Sequence, residues 1–126
     1  MNEKTLELKS TEKYKLISLL VLYNDLGWEC DIDSITFDKS TKTYFSTIKL
    51  NFNKYNNIGE YSERGGPMGA EVGNIIENKK EGFWFRFNST KKCKYGLKVL
   101  PYKNNLCHGD VILFYRSGQN THQKRL

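Results

Sequence analysis

The segment GFWFRFN at residues 82–88 carries the side chains best suited to binding chemistry. If it forms a strand, alternate side chains share a face, and its three phenylalanines point to the core. The opposite face then presents Trp84, Arg86 and Asn88. A flat aromatic ring, a guanidinium fork and an amide suit stacking on bases and hydrogen bonding to base edges or phosphates. The alternative is structural, with Trp84 closing the far side of a barrel and Arg86 bridging to an acid.

A run of lysines follows this segment, at Lys91, Lys92 and Lys94. The surrounding TKKCK has nothing apolar to hold it in a core, so we expect a turn whose lysines contact phosphates without reading base sequence. Arg64 and Arg116 extend this predicted basic surface.

The positive charge is concentrated in the second half of the chain. Residues 1–63 carry 8 Lys and Arg against 10 Asp and Glu, a net charge of −2, whereas residues 64–126 carry 12 against 4, a net charge of +8. Basic side chains gathered on one part of a surface attract polyanions and release their counterions. The alternative is that the charge reflects a lysine-rich, solvated surface that binds no partner.

Groups suited to catalysis are few. The histidines are His108 and His122, and the HExxH, GxSxG and P-loop patterns are absent from the sequence. Adjacent strand residues point to opposite faces, which separates Cys107 from His108 as a nucleophile and its base. The acids of residues 60–71 lack the pattern of a nuclease metal site. We therefore expect no catalytic residue, metal or cofactor.

One helix is predicted with a clear apolar stripe. Leu16, Leu20 and Tyr23 recur at helical spacing, Ser10 can cap the helix, and Gly27 can end it. The predicted helix therefore covers residues 10–27.

The rest of the chain reads as strands and loops. Alternation predicts a hairpin at 34–53 and strands over 82–117, whereas the glycine-rich character of the intervening residues predicts a long loop at 54–81. A basic tail at 118–126 contains no acid and is expected to order on a polyanion. We expect a single domain over 1–126 of the α+β class. Its core would be a curled antiparallel sheet or pseudobarrel of five to seven strands with one long N-terminal helix.

The first residues lack the apolar centre of a secretory signal, and no stretch reaches the roughly 18 apolar residues of a membrane span. Cys30, Cys93 and Cys107 are odd in number and form no CxxC pair, which argues against a disulfide framework. These features predict a cytoplasmic protein with no membrane partner.

The stretch NNLCHGDVILFYRSG at 104–118 resembles the last part of the B3-type pseudobarrel, the DNA-binding domain of plant transcription factors and several restriction endonucleases. In that family an apolar residue and a Gly-Asp pair precede an apolar strand ending in Phe, and here these are Leu106, Gly109, Asp110 and 111–114. A similar Gly-Asp turn occurs in PUA, ASCH and EVE domains, which bind RNA or modified bases. The B3 resemblance implies strand-loop arms in the major groove and no catalysis.

The function expected from these patterns is a DNA-binding recognition module without catalysis, most consistent with duplex DNA as the partner. Two alternatives stay open. One is a phage or mobile-element inhibitor that sequesters a host defence protein or a nucleotide signal. The other is a metal-independent ribonuclease in which His108 works with lysine and arginine, since such sites have no local sequence signature.

Overall fold

The computed structural model describes residues 2–61, 69–87, 95–115 and 120–125. These residues form one α-helix and ten β-strands, all paired antiparallel, in two compact units that meet in sequence between Phe52 and Asn53. The predicted α+β class, with antiparallel sheets and one N-terminal helix, is confirmed. The single domain over 1–126 stays a prediction.

The first unit contains a small sheet with the order β1–β3–β2. Its strands are β1 (Glu3–Ser10), β2 (Thr36–Asp38) and β3 (Thr43–Asn51), so β2 and β3 form the hairpin predicted at 34–53. Side chains alternate along these strands because successive residues of a strand point to opposite faces. Leu8 and Ile48 are fully buried on one face, whereas Glu7 on the other is exposed.

The helix α1 runs over Lys13–Asp25 and contacts β1 and β3. It starts later than the predicted 10–27, because Ser10 is the last residue of β1. Ser10 is not the predicted cap: the N-cap is Glu12, which has no side-chain capping hydrogen bond, and the Ser10 hydroxyl accepts from the Glu12 N–H at 3.1 Å. Gly27, with a φ of 103°, follows the end of the helix in the left-handed conformation that glycine adopts at low cost. The helix buries one stripe against the sheet, formed by Leu16, Leu20 and Tyr23.

The second unit contains a large sheet with the order β10–β9–β7–β6–β5–β4 and a short strand, β8, paired to β7. Among the described residues this sheet is open, with β10 and β4 at its edges. Its strands are β4 (Asn57–Tyr61), β5 (Gly69–Ile76), β6 (Lys79–Phe87), β7 (Tyr95–Lys103), β8 (Leu106–Cys107), β9 (Asp110–Tyr115) and β10 (Asn120–Arg125).

Two predicted segments are wrong. The loop predicted at 54–81 contains β4, β5 and the start of β6, and the tail predicted at 118–126 contains β10, which pairs with β9. The first error came from counting glycines as loop signals. Gly59 and Gly73 instead lie within strands, where Gly73 is opposite Asn57. The second error came from composition, since an acid-free segment can still pair its backbone with a neighbouring strand.

Gly73 is inside a strand because the Trp84 indole occupies the space where a side chain would be. A Cβ built on Gly73 would lie under 3.0 Å from three ring atoms of Trp84, whereas one built on Gly59 would meet no atom closer than 3.9 Å. A glycine in a strand commonly marks such a close approach of backbone and side chain. The residue that made β5 look like a loop is therefore what allows Trp84 to pack on the sheet.

The described residues include no helix with the length and apolar character needed to cross a membrane.

Gly73→Ala should lower the free energy of unfolding by about 1–3 kcal/mol, because the added methyl group forces the Trp84 ring or the β5 backbone to move. Gly59→Ala is the matched control and should change it by less than about 0.5 kcal/mol, since the space there is open. Urea denaturation of both variants measures the difference. Equal losses of stability would contradict the packing described for Gly73.

Candidate functional site

Trp84 lies inside the protein, and the expectation that its indole faces solvent is wrong. Its exposed fraction is 0%, as is that of Phe85 on the opposite face of β6. The predicted alternation is present, but side chains pack on both faces: Trp84 against Leu100 and Val111 on one, and Phe85 against the ring of Tyr55 on the other. Phe83, predicted to point to the core, is 40% exposed. A base can stack only on an accessible ring, so Trp84 does not provide a stacking surface in this structure.

The Trp84 side chain belongs to a hydrophobic cluster with two other buried residues, Leu100 and Val111. Tyr102 and Cys107 are partly buried and pack against this cluster. Leu100 is directly opposite Trp84 in the register of β6 and β7, which brings the two side chains to the same face. The face of the sheet that carries Trp84 therefore has its own small hydrophobic core.

Arg86 is paired with a carboxylate, which is the structural alternative raised by the sequence. Its Nε lies 2.5 Å from Oε2 of Glu71, the residue directly opposite it on β5. The other carboxylate oxygen of Glu71, Oε1, accepts from Lys80 Nζ at 3.3 Å. The side chains of Glu71, Arg86 and Lys80 are only 14%, 18% and 27% exposed. The predicted base contact by Arg86 would therefore compete with an ion pair held at low exposure.

The ammonium group of Lys80 also lies over two aromatic rings. Its Nζ is 4.5 Å from the ring centroid of Trp84 and 5.0 Å from that of Tyr102. Both distances are within the range of a cation–π interaction. Sequence reasoning missed this contact because Lys80 was assigned to the predicted loop at 54–81. The sequence does contain a signal for it: Lys80, Trp84 and Arg86 are separated by even numbers of residues, which places all three on one face of a strand.

The other six predicted binding residues lie outside the described residues: Arg64, Asn88, Lys91, Lys92, Lys94 and Arg116. The strand ends that flank them in sequence are described. The register pairs Tyr61 with Gly69, Ala70 with Phe87, Phe87 with Leu97, Tyr95 with Tyr115, and Phe114 with Asn120. These pairs share one end of the large sheet, which we call the connection end. Segments 62–68, 88–94 and 116–119 each leave and rejoin the sheet there.

Two described cations lie close to the connection end. Arg86 is one residue from the end of β6 and is directly opposite Lys98 on β7. Glu71 is directly opposite Arg86 on β5, so three charged residues are adjacent on one face across three strands. Their formal charges sum to one positive charge. Glu60, one residue from the end of β4, adds a negative charge there, so the described part of this end is close to neutral.

His108 belongs to the opposite end of the large sheet. It is exposed and precedes β9, and its N–H donates to the Pro101 carbonyl at 2.7 Å. The β5–β6 turn at Glu77 and Asn78 lies at the same end. A ribonuclease that combined His108 with the basic segments would need His108 at the connection end. The described residues place it at the opposite end.

Nucleophilic and metal-binding groups are not assembled elsewhere in the part of the chain that the structure describes. Burial raises the pKa of Cys30 to about 11, which keeps its thiol protonated and poorly nucleophilic near neutral pH. Across residues 2–61, 69–87, 95–115 and 120–125, no three His, Cys, Asp or Glu side chains gather where they could hold a metal ion.

Comparison with known proteins gave no match to any family model, and no curated protein or solved structure is significantly similar to the chain. The resemblance to the B3 pseudobarrel therefore rests on the sequence pattern. The functional inference depends on the geometry of the described residues and on the distribution of charge along the chain.

Glu71→Ala should lower the free energy of unfolding by about 1–3 kcal/mol, because it leaves the cations of Arg86 and Lys80 at low exposure without this carboxylate. The matched control is Glu7→Ala in the exposed pair of Glu7 and Lys9, whose side chains are 49% and 62% exposed. That change should cost less than about 1 kcal/mol. Chemical denaturation at low and high salt measures both, and a Glu71→Ala loss no larger than the control would contradict a stabilising role for Glu71.

Proposed function

We propose that the protein binds nucleic acid, and duplex DNA in particular, through the connection end of the large sheet. The observation that carries this proposal is the strand register. Three separate sequence segments that contain six of the predicted binding residues are joined to strand ends that meet at one end of the sheet. Strand ends far apart in the sequence are thereby brought to one end of the sheet.

The charge of these segments supports the proposal. Residues 62–68, 88–94 and 116–119 contain five basic side chains and one acid, Glu63, a net charge of +4 (5 − 1). Phosphate groups are the natural partners of such a concentration of cations, and their counterions are released on binding. The strands within residues 64–126 carry seven basic side chains against three acids, Glu71, Glu81 and Asp110, so they share the excess charge with these segments.

The burial of Trp84 and the pairing of Arg86 with Glu71 bear on how the nucleic acid would be read. With these two side chains engaged inside the sheet, we assign the main contacts to phosphates and give them to Lys91, Lys92 and Lys94. Asn88 and Arg116 are the proposed contacts to bases. Binding of this kind is strong in low salt and weakly selective among sequences.

The B3 resemblance bears on the segment that follows β9. Gly109, whose φ of 108° favours glycine, and Asp110 form the turn into β9 at the end of the sheet opposite the connection end, and β9 runs from there to Tyr115 at the connection end. In that family, strand-loop arms enter the major groove. The segment 88–94 and the segment that follows β9 and contains Arg116 would be the corresponding arms here, and the resemblance implies a recognition role without catalysis.

The test is filter binding of a labelled duplex over a range of salt concentrations. Changing Lys91, Lys92 and Lys94 together to Ala should weaken binding and flatten the slope of log affinity against log salt by about 0.9 for each lysine that contacts a phosphate. The matched control removes the same charge from three exposed lysines elsewhere: Lys13, Lys79 and Lys103.

An unchanged salt slope in the Lys91, Lys92 and Lys94 variant, or an equal change in the control, would contradict the proposal. Absence of any duplex binding by the unaltered protein would contradict it as well. Single strands, RNA and nucleotides belong in the same panel. Cleavage of RNA without metal would favour the ribonuclease, and a retained nucleotide or a co-purifying protein would favour the inhibitor.

A further inference from the structure

Trp84 and Tyr102 form two walls of a corner on one face of the large sheet. Their ring centroids are 6.0 Å apart and their planes are inclined at 72°, which is an edge-on arrangement. Two nearly perpendicular rings leave a recess in which both can contact a third group. We call this recess, together with the carboxylate of Glu71, the ammonium corner.

The ammonium corner holds the side chain of Lys80. The Nζ atom lies 4.5 and 5.0 Å from the two ring centroids and 3.3 Å from Oε1 of Glu71. Ring faces attract a cation through their quadrupoles, and the carboxylate accepts one of the three N–H bonds of the ammonium group. The corner thus combines the chemical groups that recognise an alkylammonium ion.

The walls of the corner are fixed independently of Lys80. Trp84 is completely buried and packs against the backbone of Gly73, whose missing side chain leaves room for the ring. Glu71 is held by Arg86 through its second oxygen. A site whose walls are already in place loses little conformational freedom when it binds a ligand.

The backbone of Lys80 is also held independently of its side chain. Its carbonyl accepts from the Asn105 N–H at 3.0 Å, and its N–H donates to Oδ1 of Asn105 at 3.3 Å. Removing the side chain beyond Cβ therefore leaves these backbone contacts available. The Lys80 side chain is 27% exposed, so solvent reaches the group that fills the corner although the Trp84 wall is buried.

We propose that Trp84, Tyr102 and Glu71 form a binding site for an alkylammonium group, occupied by Lys80 and able to accept a free amine or an external lysine side chain when Lys80 is withdrawn. This site shares Glu71 with the charged row next to the connection end, but its ligand is a cation and its occupancy does not depend on nucleic-acid binding. Its selectivity follows from its walls, since a neutral alcohol of the same length lacks the charge that the rings and the carboxylate attract.

The experiment opens the corner with Lys80→Ala and refills it with propylammonium chloride, which replaces the deleted atoms from Cγ to Nζ. Amide and indole N–H signals of the labelled protein report binding at Trp84, and the melting temperature reports stabilisation. Sodium chloride and 1-propanol control for salt and for the alkyl chain. Lys79→Ala is the matched control variant, because Lys79 is exposed and adjacent on the same strand.

We expect a saturable shift of the Trp84 indole signal and a rise in melting temperature for Lys80→Ala with propylammonium only. Adding Glu71→Gln to that variant should weaken the binding about tenfold, which is the effect of losing about 1.4 kcal/mol of charge-assisted hydrogen bonding. An N-acetyl-lysine amide, tested alongside, distinguishes a lysine side chain from a small amine as the ligand. No saturable response, or the same response in Lys79→Ala, would overturn the proposal.

A measurement on the unaltered protein covers the case in which Lys80→Ala does not fold. Ring currents from Trp84 and Tyr102 should shift the Cε protons of Lys80 upfield, and those of Lys79 should remain at ordinary values. Lys80 protons at ordinary values would show that the ammonium group does not occupy the corner, and would overturn the proposal.

Discussion

The contact between the Trp84 indole and the backbone of Gly73 is the constraint on which the large sheet depends. A tryptophan buries roughly 150–250 Å² of surface, and it can do so here only because β5 carries no side chain at that point. The contact seats the indole against the backbone of β5, and on the same face the ring packs with Leu100 and Val111 in a small hydrophobic cluster. It also determines what this face can do, because the indole is used for packing and is not available to a base.

Charge on the large sheet is divided between two places with different roles. On the strands, Glu71 compensates the cations of Arg86 and Lys80 at low exposure, which is a contribution to stability. The segments joined to the connection end contain five basic residues and one acid. The phosphate binding that we propose would draw on the second group, while the first remains paired. Folding and the proposed binding therefore depend largely on different residues.

The sequence was sufficient for the fold class, the helix stripe, the hairpin at 34–53 and the alternation in β6. These features follow from local periodicity, which one chain segment reveals by itself. It was insufficient for β5 and for the burial of Trp84, because both depend on partners distant in sequence. Gly73 has the same local signature whether it forms a turn or accommodates a ring. The pairing of Glu71 with Arg86 was hidden for the same reason, since it requires the register of two strands.

The most direct test of the proposed binding surface is an amide chemical-shift titration of the labelled protein with a short DNA duplex. The account predicts that the largest changes fall at the connection end, at Tyr61, Gly69, Phe87, Tyr95 and Tyr115, with little change in the turns at Glu77, Asn78, Asn104 and Asn105. Largest changes in those turns, or no change at either end, would contradict it.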